Sequence, residues 1–228
     1  MKYIFVTGAP GSKWSSVVKN IYYSPSIDRS DYSEARTYYR QDAAGHKDLM
    51  HIGAYWDPGM EFGKFFDHIE RYSKSECETE FDRPFETNAA GIRIIKSHVF
   101  ANHIDFLRQA WPDVPVVLVN RSSDACLDWW IRSGQFDITY PDYREYYQDL
   151  EHIASIISQQ TASIEAAAFK YDAEAVFTNR NLAQQLGLEL PPLNYAQDYN
   201  SQDIQVSVLC PNQTGVFLQQ LKNTASVD

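Results

Sequence analysis

The chain has 228 residues, 44% of them apolar and 22% charged, which allows one sizeable hydrophobic core and is ordinary for a globular protein. Its net charge of −10 speaks against a general nucleic-acid partner, which needs a basic face to neutralise phosphates. No apolar run approaches the roughly 20 residues that span a bilayer, and the scattered Cys77, Cys126 and Cys210 point to a reducing, cytoplasmic setting without a zinc site.

Residues 2–6, KYIFV, form a short apolar run ending at Thr7-Gly8, and they read as a buried first strand rather than a signal peptide. Trp14, Val17, Val18 and Ile21 then recur at helical spacing, so a tight glycine loop leads from strand into helix. Backbone N–H groups at such a helix start, with the helix dipole behind them, favour an anion. The loop Gly8-Ala9-Pro10-Gly11-Ser12-Lys13 departs from the G-x-x-x-x-G-K-[ST] pattern of P-loop NTPases. No glycine stands directly before Lys13, and Trp14 stands where a magnesium-binding hydroxyl belongs.

Residues 22–90 show weak helical periodicity apart from a short helix expected around 61–73, and they read as an insertion over one end of the sheet. Within them, GAYWDPGMEFG at 53–63 reads equally as pocket lining or as a packed loop. His46 and His51 have no evident third ligand, so no metal site is expected.

IRIIK at 92–96 is a second strand, ending in Lys96-Ser97-His98. A helix with Phe100, Ile104 and Leu107 on one face follows and stops near Pro112. VPVVLVN is a near-continuous β-branched run, typical of a parallel strand buried on both faces, and it ends at Asn120-Arg121. Ser122 or Ser123 caps a helix over 124–132, which Gly134 ends. A longer helix is expected over 142–162 and a last strand at AFKYD, 168–172. A short helix capped by Thr178 or Asn179 is closed by Gly187. This alternation predicts a single α/β domain over 1–228, a mostly parallel central sheet flanked by helices. Ligands on such sheets sit at the carboxyl ends of the strands, where the first loop, Lys96, His98 and Arg121 all fall.

The order of these motifs resembles the sulfotransferase family, whose architecture is P-loop-NTPase-like. The family's phosphosulfate loop, roughly P-[KR]-S-G-T-[TS], is matched by Pro10-Gly11-Ser12-Lys13-Trp14-Ser15-Ser16. Its strand ending K-[ST]-H is matched by Lys96-Ser97-His98. Its strand ending in arginine and its D-V-A-V-S-Y-Y helix look like VVLVNRSSDACLDWW, with Arg121, Asp124 and Trp129-Trp130. Its Y-E-D-L strand and L-G-L ending look like Lys170-Tyr171-Asp172-Ala173 and Leu186-Gly187-Leu188.

The resemblance implies transfer of a sulfuryl group from 3′-phosphoadenosine 5′-phosphosulfate (PAPS) to a hydroxyl or amine of a small-molecule or glycan acceptor, without a metal. His98 would be the general base, and Lys13 and Lys96 would stabilise the leaving oxygen. Gly8, Pro10, Gly11, Ser12, Lys13, Trp14, Ser15 and Ser16 would cradle the cofactor, with Arg121 and position 128 beside its 3′-phosphate. The sequence departs from the family in three places. The family's loop cation falls on Gly11, its 3′-phosphate serine falls on Asp128, and its C-terminal R-K-G motif is not visible. Two alternatives stand beside this reading. One is a P-loop nucleotide or small-molecule kinase, with Lys13 as its phosphate lysine. The other is a catalytically impaired binding protein, which Asp128 favours.

Overall fold

The computed structural model describes residues 1–41, 47–133, 143–190 and 203–211. Strand β1 (Tyr3–Gly8) is buried along its whole length, as its unbroken apolar run requires. It pairs in parallel with β4 (Arg93–Lys96) on one side and β5 (Val116–Arg121) on the other. Beyond β5 lie β7 (Ile204–Leu209), antiparallel to β5, and β6 (Glu174–Val176), antiparallel to β7. The five-stranded sheet has the order β4-β1-β5-β7-β6, so it is mixed, with a parallel centre. A separate antiparallel pair, β2 (Tyr38–Gln41) and β3 (Lys47–His51), lies within the segment read as an insertion.

Period-two alternation sends neighbouring residues of β1 to opposite faces. Tyr3 and Phe5 enter one apolar cluster with Phe66, Phe81, Phe100 and Trp111; Ile4 and Val6 enter another with Trp14, Val18, Leu182 and Val206. Phe5 meets the rings of Phe81, Phe100 and Trp111 edge-on at 5.5–5.6 Å. Burying one such side chain contributes about 2–3 kcal/mol. The helices supply the rest of both clusters. They are α1 (Trp14–Tyr22), α2 (Lys74–Asp82), α3 (Ile104–Ala110), α4 (Ser123–Arg132), α5 (Tyr143–Tyr147), α6 (Leu150–Lys170) and α7 (Asn179–Leu186).

Several local expectations are met. Ser122 caps α4 by accepting from the Ala125 N–H, and Thr178 caps α7 by accepting from the Asn181 N–H. Gly187 ends α7 in the left-handed conformation at φ 63°. Gly134 and His46 lie outside the described residues.

Others are corrected. AFKYD is not a strand: α6 continues to Lys170, because Ile153, Ile157, Ile164 and Ala167 keep one buried stripe running through that stretch. The strand follows at Glu174–Val176. The helix expected around 61–73 is a kinked 3-10 stretch over Phe66–Arg71, followed by α2, whose capping box joins Ser73 and Glu76. Trp56, Phe66, Ile69, Cys77, Phe81 and Phe85, all from the segment read as an insertion, share the cluster that contains Phe5. The buried Arg93 ties the same segment to β4 through Asp28 at 3.1 Å and Asp82 at 2.6 Å. No helix among the described residues is long and apolar enough to cross a membrane.

Candidate functional site

The loop between β1 and α1 is built by its own residue types. Ser12 N–H donates to the Ala9 carbonyl at 3.0 Å, closing a turn with Pro10 and Gly11 at its centre. Gly11 has φ 82°, which is the positive value that the third residue of a type II turn needs, and proline suits the second. A Cβ on Gly11 would also collide with the Cys126 carbonyl of α4. The turn therefore packs directly on that helix.

Lys13 comes next, also left-handed at φ 62°, and serves as the N-cap of α1 without a side-chain cap bond. Holding a residue with a Cβ there costs roughly 1–2 kcal/mol. Lys13 thus holds a backbone conformation usually left to glycine while placing a charge in the loop. An observed outlier of this kind in a loop is a reason to look for function. Trp14, Ser15 and Ser16 form the first turn of α1; Trp14 is buried, and the Ser16 N–H returns to the Lys13 carbonyl at 3.0 Å.

Two cations converge here. The Lys13 ammonium lies 4.6 Å from the centre of the Trp129 ring, a cation–π contact. The buried Arg121 guanidinium, at the end of β5, donates to the Gly11 carbonyl at 3.1 Å and to Asp203 at 2.8 and 2.9 Å. Burial, and then the charge on Arg121, hold the Lys13 pKa below that of an ordinary lysine. An anion would relieve that repulsion, and the α1 start gives it N–H donors. The donor set therefore fits the phosphosulfate end of PAPS. On the 3′ side the fit is thinner: Ser122 is engaged as a cap, and Ser133 bonds back to the Trp129 carbonyl at 2.7 Å.

Asp128, expected beside the 3′-phosphate, is placed otherwise. It is half-exposed and pairs with Arg132 one turn along α4, while Cys126 and Trp130 occupy the inward face of the helix. Helix geometry makes this the natural pairing, since residues four apart share a face.

The end of β4 brings a second group. His98 is 2% exposed, and its Nδ1 meets the Gly8 carbonyl. A carbonyl only accepts, so Nδ1 carries the hydrogen and Nε2 keeps its lone pair. Burial pushes the His98 pKa down to about 4, so the ring is neutral at neutral pH. Trp14 and Tyr55 close on the ring at 4.7 and 5.4 Å between centroids. His51, at the end of β3, stacks on Tyr55 at 5.0 Å and is held well below the ordinary histidine range by burial and by the nearby Lys96 and His98.

Lys96 does not reach toward the loop. Its ammonium donates to the Ile52 carbonyl, and burial lowers its pKa to about 8 against the opposing pull of Asp31. The loop, His98 and Arg121 thus stand at the carboxyl ends of three adjacent parallel strands, whereas Lys96 is committed to the segment packed above them.

Three residues of this neighbourhood escaped the sequence reading. Asp203, which neutralises Arg121, precedes β7, and no motif marks it. Asp31 is a buried carboxylate that accepts from the Ala54 N–H at 2.8 Å and Tyr22 at 3.2 Å. Asp57 accepts from Ser97 at 2.8 Å and Tyr55 at 2.9 Å, 40 and two residues away in the chain. The only hint of it was its place inside a Tyr-Trp-Asp-Pro-Gly loop. Among the described residues no group of three or more His, Cys, Asp or Glu is placed to hold a metal ion. Compared with protein-family models, curated proteins and solved structures, the chain matches none of them.

Proposed function

We propose that the protein is a sulfotransferase-like enzyme that binds PAPS and passes its sulfuryl group to a hydroxyl or amine of a small-molecule or glycan acceptor. One observation carries this reading. An anion-friendly loop with Lys13 and an imidazole with a free Nε2 lone pair, on His98, stand at neighbouring strand ends and meet through the Gly8 carbonyl. PAPS, when bound, supplies an activated sulfuryl group on a good leaving group.

The chain's own residues then have separable tasks. The α1 amides and the Lys13 ammonium hold the anion and take up charge as it grows. Arg121 anchors the loop through the Gly11 carbonyl while its own charge is matched by Asp203. His98 takes the acceptor's proton on Nε2; its low pKa makes it a modest base, but one in the free-base form at neutral pH. Trp14 and Tyr55 pack against the ring and His98 is 2% exposed, so an acceptor reaches Nε2 only if this packing opens. No magnesium-binding hydroxyl follows Lys13, so this loop suits metal-free transfer better than kinase chemistry.

The engagement of Arg121 by Asp203 favours a second reading, a binding protein without turnover. The two separate in one assay: single-turnover release of the 3′,5′-bisphosphate from PAPS with pooled hydroxyl and amine acceptors. The enzyme reading expects acceptor-dependent release, slowed on the order of 10²–10⁴-fold in His98→Ala with cofactor affinity nearly intact. Equal rates in both proteins contradict the role of His98. Binding without release supports the second reading.

A further inference from the structure

Asp57 is 2% exposed, and no lysine, arginine or histidine forms an ion pair with it among the described residues. Four donors surround it instead. The Ser97 hydroxyl at 2.8 Å and the Val99 N–H at 3.4 Å reach Oδ1. The Tyr55 hydroxyl at 2.9 Å and the Tyr147 hydroxyl at 3.4 Å reach Oδ2. A buried carboxylate without a countercharge is costly, and packing alone would favour an apolar residue of similar size.

The identity of its partners suggests what the carboxylate does. Ser97 and Val99 are the two neighbours of His98, so Oδ1 grips the chain on both sides of that residue. The third partner, Tyr55, lays its ring edge-on to the imidazole with 86° between the planes, and Trp14 flanks the imidazole as well. The backbone, one wall and the Nδ1–H bond to Gly8 together leave the imidazole one orientation. In water a free histidine favours the opposite tautomer, with the hydrogen on Nε2. The observed tautomer therefore depends on the ring being held against the Gly8 carbonyl.

We infer that Asp57 is the positioning residue of this site, holding the turn 97–99 so that His98 keeps its hydrogen on Nδ1 and presents a bare Nε2. The functional weight of this inference rests on reading His98 as the base; the positioning itself does not. The grip is a matter of hydrogen-bond geometry rather than of charge. An asparagine of the same shape can accept from Ser97 and Val99 through its oxygen and donate to the two phenol oxygens through its nitrogen. An alanine can do neither.

The experiment is nitrogen-15 NMR of the histidine side chains across a pH titration, with the His98 signals assigned by their loss in His98→Gln. In the wild type the hydrogen should sit on Nδ1 and the ring should titrate near 4. Asp57→Asn should keep that tautomer. Asp57→Ala should shift His98 to the Nε2–H form or to a mixture; because the bond to Gly8 raises the ring's pKa, its loss should leave the titration depressed. If Asp57→Ala does not fold, Ser97→Ala removes one of the two bonds to the turn and should show the same mixture. A folded Asp57→Ala or Ser97→Ala protein with the wild-type tautomer overturns the inference. So does an asparagine variant that behaves like alanine. Tautomer control without sulfuryl transfer would refute the transferase reading and leave the positioning intact; transfer in a protein whose tautomer ignores Asp57 would refute the positioning alone.

Discussion

The charge on Asp57 has a thermodynamic cost that one substitution can expose. Its burial raises the carboxyl pKa from 3.8 to about 7, against the lowering effect of bonds from Ser97, Tyr55 and Val99. The folded protein therefore holds a proton there that the unfolded chain has already released between those values. By linkage, this group makes the fold less stable as pH rises from about 4 to 7, and the penalty is complete above 7. At 1.36 kcal/mol for each pKa unit, the full penalty is about 4 kcal/mol. At pH 5, little more than one unit above 3.8, it is only about 2 kcal/mol.

Asp57→Asn keeps the hydrogen-bond geometry and removes the titration. Its stability relative to wild type should therefore improve by about 2–3 kcal/mol between pH 5 and pH 8. Urea denaturation of both proteins at the two pH values measures this, and the comparison cancels the titration of every other group. For a chain of this size that change between pH 5 and pH 8 corresponds to roughly 5–10 °C in melting temperature. An asparagine variant less stable than wild type at pH 8, or a difference that ignores pH, would refute the picture of an uncompensated buried carboxylate.

The remaining predictions concern the loop, α4 and the histidines. Lys13→Ala should weaken 3′,5′-bisphosphate binding by about 1–3 kcal/mol, measured by calorimetry. Lys13→Gly should do the same while raising thermal stability by about 1 kcal/mol, because glycine tolerates the left-handed φ of 62°. Asp128→Ser should leave the affinity ratio of the 3′,5′-bisphosphate to the 5′-monophosphate unchanged, since Asp128 is half-exposed and paired with Arg132; a rise in that ratio would place it in the pocket after all. His51 and His98 are buried neutral with depressed pKa values, so the stability they confer is complete above 6.5 and is lost as pH falls below it, for His98 down to about 4. His98→Gln should flatten that loss in denaturation curves, and an unchanged acid profile would contradict a buried neutral ring.

Much of the sheet was legible because its strands carry their own signal. β1 and β5 are short, uninterrupted apolar runs, and the turn residues Pro10, Gly11 and Gly187 sit where positive φ or a fixed proline demands them. The α6 boundary was misread although the pattern was available: Ile153, Ile157, Ile164 and Ala167 run past the expected end. β7 was overlooked although IQVSVL alternates, because it joins the sheet antiparallel to β5 from the far end of the chain. The same non-locality hid the site's carboxylates. Asp57 finds Ser97 across 40 residues, and Asp203 finds Arg121 across 82. Neither spacing obeys a helical or strand period, so no window of sequence contains it. Lys96 shows the converse: its place in a K-S-H motif suggested chemistry, while its ammonium is spent on the Ile52 carbonyl.

The proposed function requires the loop of residues 8–16 to be a metal-independent anion site for a 3′-phosphorylated adenosine nucleotide. The most direct measurement is isothermal calorimetry of the full chain with 3′-phosphoadenosine 5′-phosphate in a chelating buffer, repeated with ATP and magnesium. The account predicts saturable, metal-free binding of the bisphosphate that weakens in Lys13→Ala, and weaker binding of ATP that magnesium does not rescue. Magnesium-dependent ATP binding with no heat from the bisphosphate would contradict it and make the loop that of a kinase.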